Sequence, residues 1–179
     1  MNLIFSTIAG FFLSFNAYAS GVTLNGNDSV TVDINNHTKT LTFDTIINGY
    51  SVKCSGDKII LWGKPKAINE GNPQDTNVIL VDLEHGYKRI EKGVSEGVFG
   101  VDFIKEKELA YIGTNQGLFF NLENGKLKSV GQEFDPTDDN NFEKCNKNSS
   151  WEFNRYPWYQ CGKWDGKDGG DYAIKELAW

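Results

Sequence analysis

The stretch from Asn77 to Gly131 is written twice, and that repetition constrains the fold more than any other feature of the chain. Val78-Ile79-Leu80-Val81-Asp82-Leu83-Glu84-His85-Gly86 is echoed by Gly117-Leu118-Phe119-Phe120-Asn121-Leu122-Glu123-Asn124-Gly125. Each copy is a short apolar run, then a polar turn ending in glycine, then a basic-apolar continuation: Tyr87-Lys88-Arg89-Ile90 in the first and Lys126-Leu127-Lys128-Ser129-Val130 in the second. That is the pattern of a β-hairpin. Another strand-like run precedes each hairpin, Lys58 to Gly63 and Glu108 to Gly113, so the repeating unit is an antiparallel sheet of about four strands. The expected fold is all-β, with repeats over roughly 50–92 and 98–131 in a small propeller-like or irregular barrel body.

The flanking segments fit the same class. Gly21 to Leu24 and Ser29 to Ile34 alternate apolar with polar residues, Asn35-Asn36 reads as a turn, and Lys39 to Phe43 reads as a return strand. Asn48-Gly49 predicts a turn before the first repeat, and Lys64 to Thr76, with Pro65, Gly71 and Pro73, predicts a surface loop that the second repeat lacks. The N-terminal and C-terminal strands are expected to pair with each other and supply one more sheet. Tyr172 to Leu177 is read either as a short helix or as a closing strand.

Asn2 to Ala19 is an apolar run without Lys or Arg that closes on Ala17-Tyr18-Ala19, a small-x-small pattern. This predicts a secretory signal peptide cleaved after Ala19, leaving a single exported domain over 20–179 with one core. The rival reading is a membrane anchor, against which the run is short and lacks a basic stop-transfer flank. Every charged residue follows this leader, so the formal net charge of -6 belongs to the domain. Such a surface repels nucleic acid and anionic lipid and speeds encounter with a basic protein.

Three cysteines in an oxidising compartment allow three single pairings. Cys145 with Cys161 is the expected pair, closing a loop of about 17 residues worth on the order of 3 kcal/mol. Cys54 is then a buried thiol, with a bridge from Cys54 to the C-terminal region as the alternative.

Gly93-Val94-Ser95-Glu96-Gly97 matches the G-x-S-x-G nucleophile elbow, but a strand follows it and the chain has only His37 and His85 as bases. It reads instead as an inter-repeat loop that can present Ser95 and Glu96 to a partner. No CxxC, HExxH or P-loop occurs, and no catalytic residues or cofactor are expected. Acids cluster at Glu133, Asp135, Asp138, Asp139 and Glu143, and again at Asp165, Asp168 and Asp171. Oxygen-rich loops can hold calcium, but neither follows the EF-hand pattern, and solvated acidic loops without metal are expected.

The run Trp151 to Trp164 holds more rings than one half-buried strand can hide, and Pro157 interrupts it. Most of these rings are expected to close the core, while Tyr156, Trp158 and Trp164 form a candidate aromatic surface for sugars or a protein partner.

Taken together, the leader, the acidic all-β repeats, the odd cysteine count and the lack of a catalytic constellation resemble the periplasmic immunity proteins of bacterial type VI secretion that inhibit peptidoglycan amidase toxins. The resemblance implies a non-enzymatic periplasmic inhibitor whose protruding loop enters a toxin's catalytic cleft. Two loops suit that role, one carrying Ser95 and Glu96 and the other Thr114, Asn115 and Gln116. The expected partner is a basic cell-wall hydrolase. The alternatives are a carbohydrate or cell-wall binding module that uses the aromatic stretch, and a lysozyme inhibitor.

Overall fold

Two continuous apolar runs, Ile59 to Trp62 and Val78 to Val81, are buried at every position. Successive strand residues face opposite sides, so a strand buried throughout must lie in a sheet covered on both faces. The computed structural model, which describes residues 19–35, 37–146 and 149–156, has this arrangement. Three antiparallel sheets are formed from twelve strands, with two short 3-10 turns and no α-helix among the described residues.

The first sheet is the N-terminal meander β1 (Ala19–Asn25), β2 (Ser29–Ile34) and β3 (His37–Thr42). The central sheet runs β4 (Thr45–Val52), β5 (Lys58–Pro65), β6 (Thr76–Asp82) and β7 (Lys88–Val94), and the third runs β8 (Gly100–Phe103), β9 (Leu109–Gly113), β10 (Leu118–Asn121) and β11 (Leu127–Ser129). The two repeats are thus two four-stranded meanders, and the body is irregular and barrel-like without closing into a barrel.

The chain ends differ from expectation. β12 (Glu152–Asn154) does not pair with the N-terminal strands; it joins the free edge of β4 and makes the central sheet five-stranded. The two ends meet through side chains instead. The Tyr50 hydroxyl lies 3.2 Å from the Val22 carbonyl and 3.1 Å from the Ser150 carbonyl. Phe153 stacks on Tyr50 at 5.9 Å between ring centroids, and Trp151 packs on the same cluster, so part of the aromatic run does close the core. Burial raises the Tyr50 hydroxyl above its ordinary pKa.

Two hydrophobic clusters form rather than the single core expected. Ile59, Leu61, Ile79 and Val81 face the N-terminal sheet, whereas Ile60, Trp62, Val78 and Leu80 face the third sheet. A central sheet needs an apolar cover on each face, and the flanking sheets supply one each. Asn48-Gly49 is likewise not a turn. It forms a bulge within β4, where the register shifts between Ile47 and Gly49. Only glycine fits there, since a Cβ on Gly49 would sit 2.1 Å from the Trp62 ring.

The repeated turns are built alike. Asp82 Oδ1 accepts from the amides of Glu84 and His85, and Asn121 Oδ1 accepts from those of Glu123 and Asn124. Leu83 and Leu122 bury into the two clusters, and Gly86 and Gly125 take φ of 72° and 70°. A short acceptor, a core leucine and a left-handed glycine make the same turn twice.

The expected Cys145–Cys161 pairing is corrected. Cys145 is bonded to Cys54, with Cα atoms 5.9 Å apart, and Cys54 is therefore not a free thiol. Proximity in sequence misled. The segment before Cys145 runs along the end of the third sheet, where Phe142 bridges Ile104, the Glu143 amide donates to the Phe103 carbonyl at 2.9 Å, and the Glu143 carboxylate accepts from the Cys54 amide. That path delivers Cys145 to the turn after β4. Cys161, Trp158, Trp164, Asp165, Asp168, Asp171 and Tyr172 to Leu177 lie outside the described residues, as do residues 1–18, which hold most of the expected signal peptide.

Candidate functional site

The site lies at one end of the central and third sheets, where three connections of different length meet. The longest is the predicted surface loop between β5 and β6. It is held by its own short polar side chains: Asn69 Nδ2 donates to Asp75 Oδ2 at 3.0 Å, Asn72 Nδ2 also donates to Asp75, and the Gly71 amide donates to Asn69 Oδ1 at 3.0 Å. With Pro65 and Pro73 restricting the backbone, this loop holds its shape without a core of its own. Ile68 projects from it, 69% exposed.

The second connection leaves β7 at Ser95 and enters β8 after Phe99. The Phe99 amide donates to the Gly113 carbonyl at 2.8 Å, and Asn154 Nδ2 donates to the Phe99 carbonyl at 2.6 Å, which fixes the loop against both sheets. The third is the tight turn Thr114 to Gly117 between β9 and β10. Tyr111 packs beneath it, so close that a Cβ on Gly117 would meet its ring at 2.9 Å. Burial, and then the charge of Asp102, raise the Tyr111 hydroxyl above its ordinary pKa.

These connections and Tyr156 surround a groove of about 640 Å³, lined among others by Ile68, Asn72, Gln74, Phe99, Asn115 and Tyr156. Asn72 Nδ2 donates to the Ser95 carbonyl at 3.2 Å and ties the first loop to the second. Tyr156 is 62% exposed and follows β12, with its amide donating to Asn154 Oδ1 at 3.0 Å. The two loops singled out in the sequence and one residue of the aromatic run are thereby brought to one face. Ser95, Asn115 and Gln116 are exposed there, and Glu96 is half-buried.

Thr114 does not belong with them. It is 7% exposed, and its Oγ1 accepts from the Gly117 amide at 3.1 Å, so it shapes the turn and presents nothing to a partner. Ile68 and Gln74 were missed by sequence reasoning. The proline-bounded loop was visible, but its nearness to Ser95 and Tyr156 depends on the pairing of strands far apart in the chain.

The G-x-S-x-G stretch lies between two antiparallel strands. His85 is paired with Asp82 at 3.0 Å, at the far end of the 7-residue β7, roughly 20 Å from Ser95. His37 opens β3 in another sheet. Neither imidazole is hydrogen-bonded to Ser95, so neither is positioned to activate its hydroxyl.

In the first acidic cluster, Asp135 and Asp138 are committed to local turns. Asp135 accepts from the Thr137 amide and hydroxyl, which hold its carboxyl below the ordinary range, and Asp138 accepts from the Asn140 amide. Phe134 and Phe142 anchor this segment on Tyr111 and Phe119. No group of three or more His, Cys, Asp or Glu among the described residues is arranged to hold a metal ion. Compared with known proteins, the chain matches no family model, no curated protein and no solved structure.

Proposed function

We propose that the protein is a non-enzymatic, exported inhibitor of a basic cell-wall-degrading hydrolase, bound through the loop end around Ser95 and Asn115. One observation carries the reading: loops distant in sequence share one rim, braced by the bond from Asn72 to the Ser95 carbonyl and flanked by exposed Ile68. Short polar groups beside an exposed apolar side chain on a braced rim are what an interface anchor requires. The net charge of -6 favours encounter with a basic enzyme. The apolar leader ending at Ala19 and the Cys54–Cys145 bridge suit an oxidising exported compartment.

In this mechanism the Ser95 hydroxyl and the Asn115 amide hydrogen-bond the polar groups of the enzyme's cleft, Glu96 and Gln116 widen the contact, and the body behind them excludes substrate. The test is a titration of the co-exported cell-wall hydrolase of the same organism with purified protein, followed by residual peptidoglycan cleavage. The expected result is loss of activity at one-to-one stoichiometry. Undiminished cleavage at excess protein sinks the reading.

A further inference from the structure

The interior of the groove points to a ligand of another kind. Asn48, Gln74 and Asn115 line it, and their side-chain amides make no hydrogen bond within the described residues. Asn69 and Asn72 beside them are engaged by Asp75 and the loop backbone. Three amides are thus left facing a concavity, each with a donor and an acceptor side by side, the spacing that adjacent sugar hydroxyls present.

Apolar and aromatic side chains share the lining with these polar groups. Tyr156 stands exposed at one side, and Phe99, Val98 and Pro65 contribute carbon surface. An exposed ring offers a plane for the C–H face of a sugar, while its hydroxyl stays wet. Among the described residues the charge of the lining is balanced, with Lys64 and Asp75 as its ionisable side chains besides the Tyr156 hydroxyl, although the chain as a whole carries -6. A charged ligand finds no excess of counter-charge there, and its desolvation would go uncompensated. The volume of about 640 Å³ lies within the range of small-ligand sites.

We propose that this groove binds an uncharged glycan, with Tyr156 as the stacking platform and Asn48, Gln74 and Asn115 reading its hydroxyls. The inference does not rest on the inhibitor reading, because it requires no protein partner.

The test is an array of uncharged and anionic oligosaccharides probed with the full purified protein, followed by titration calorimetry of the best binder. At least one uncharged oligosaccharide binds saturably, anionic ones of the same length bind more weakly, and Tyr156→Ala and Gln74→Ala each weaken binding about tenfold. Ser95→Arg, which alters the rim and not the lining, leaves glycan affinity unchanged while abolishing hydrolase inhibition, so the two proposals fail separately. Absence of any uncharged ligand, preference for anionic sugars, or full affinity in Tyr156→Ala overturns the assignment. Both glycan-site variants change exposed side chains, and an unchanged melting curve verifies that they are folded.

Discussion

Asn72 and Ser95 are joined across two loops: the Asn72 side-chain amide donates to the Ser95 carbonyl at 3.2 Å while also donating to the carboxylate of Asp75. One side chain thereby sets the distance between the wall of the groove and its rim. Asn72→Ala is expected to lower stability by about 1 kcal/mol, as for a typical intramolecular hydrogen bond. Its larger effect is local. Amide exchange should quicken at Ser95 to Val98 and stay unchanged in β5 and β6; exchange unaltered in the loop would show that Asn72 does not brace it.

The Cys54–Cys145 bridge closes a loop with a sequence separation of 91. In the chain-entropy model a loop of that length is worth about 4.5 kcal/mol. Reductant should therefore lower the urea midpoint sharply. Cys145→Ser should reproduce the loss and abolish sensitivity to reductant, whereas Cys161→Ser should retain that sensitivity.

The paired turns predict unequal costs for the same change. Gly86 and Gly125 both have positive φ, but nothing lies within 4 Å of a Cβ on Gly86, whereas one on Gly125 would sit 2.3 Å from Ile90 Cγ2. Gly86→Ala carries the left-handed backbone penalty alone, about 1 kcal/mol. Gly125→Ala adds overpacking against β7, for a total of roughly 2–4 kcal/mol. Equal unfolding free energies for the two variants would contradict the packing of the third sheet's turn on β7.

An ionic link between the central and third sheets gives the protein an acid-sensitive element. Lys53 has a side chain only 9% exposed and pairs with Glu108, and Lys58 bridges Asp57 at 2.8 Å and Glu108 at 3.6 Å. Burial alone would raise the Asp57 carboxyl; hydrogen bonds from Lys58 and Ser55, with the charges of Lys58 and Lys53, outweigh it and hold the group below its ordinary range. A carboxyl depressed on folding contributes stability that is fully present above its unfolded pKa of about 3.9 and is lost as pH falls through the lower folded value. Asp57→Asn should thus be less stable than wild type at neutral pH, with the difference shrinking in acid below about pH 4. A gap between the two that stayed constant down to pH 2 would remove Asp57 from the acid response.

The duplicated turn was legible because its signals are local. Asp82 and Asn121 accept from amides two and three residues on, and Gly86 and Gly125 supply the left-handed residue, so neighbouring sequence specifies both hairpins. The place of β12 was not legible. Glu152 to Asn154 is a three-residue strand with no pattern that distinguishes β4 from β1 as its partner, and the pairing is decided by Phe153 stacking on Tyr50. Cys145 reaches Cys54 only because residues 141–143 follow the edge of the third sheet. For the same reason the two loops were visible as loops, while Thr114 was assigned to the rim although its hydroxyl turns inward to the Gly117 amide.

The most direct test of the proposed inhibitor is the affinity of its proposed target, a basic cell-wall hydrolase, for three variants, measured by calorimetry beside wild type. Ser95→Arg and Asn115→Arg place a long charged side chain on the rim, and Thr40→Arg places one on the outer face of the N-terminal sheet, away from the groove. On the inhibitor reading both rim variants lose at least about 100-fold in affinity, a cost of about 2.7 kcal/mol or more, while Thr40→Arg binds as wild type. Full affinity in Ser95→Arg and Asn115→Arg, or a loss confined to Thr40→Arg, would contradict it.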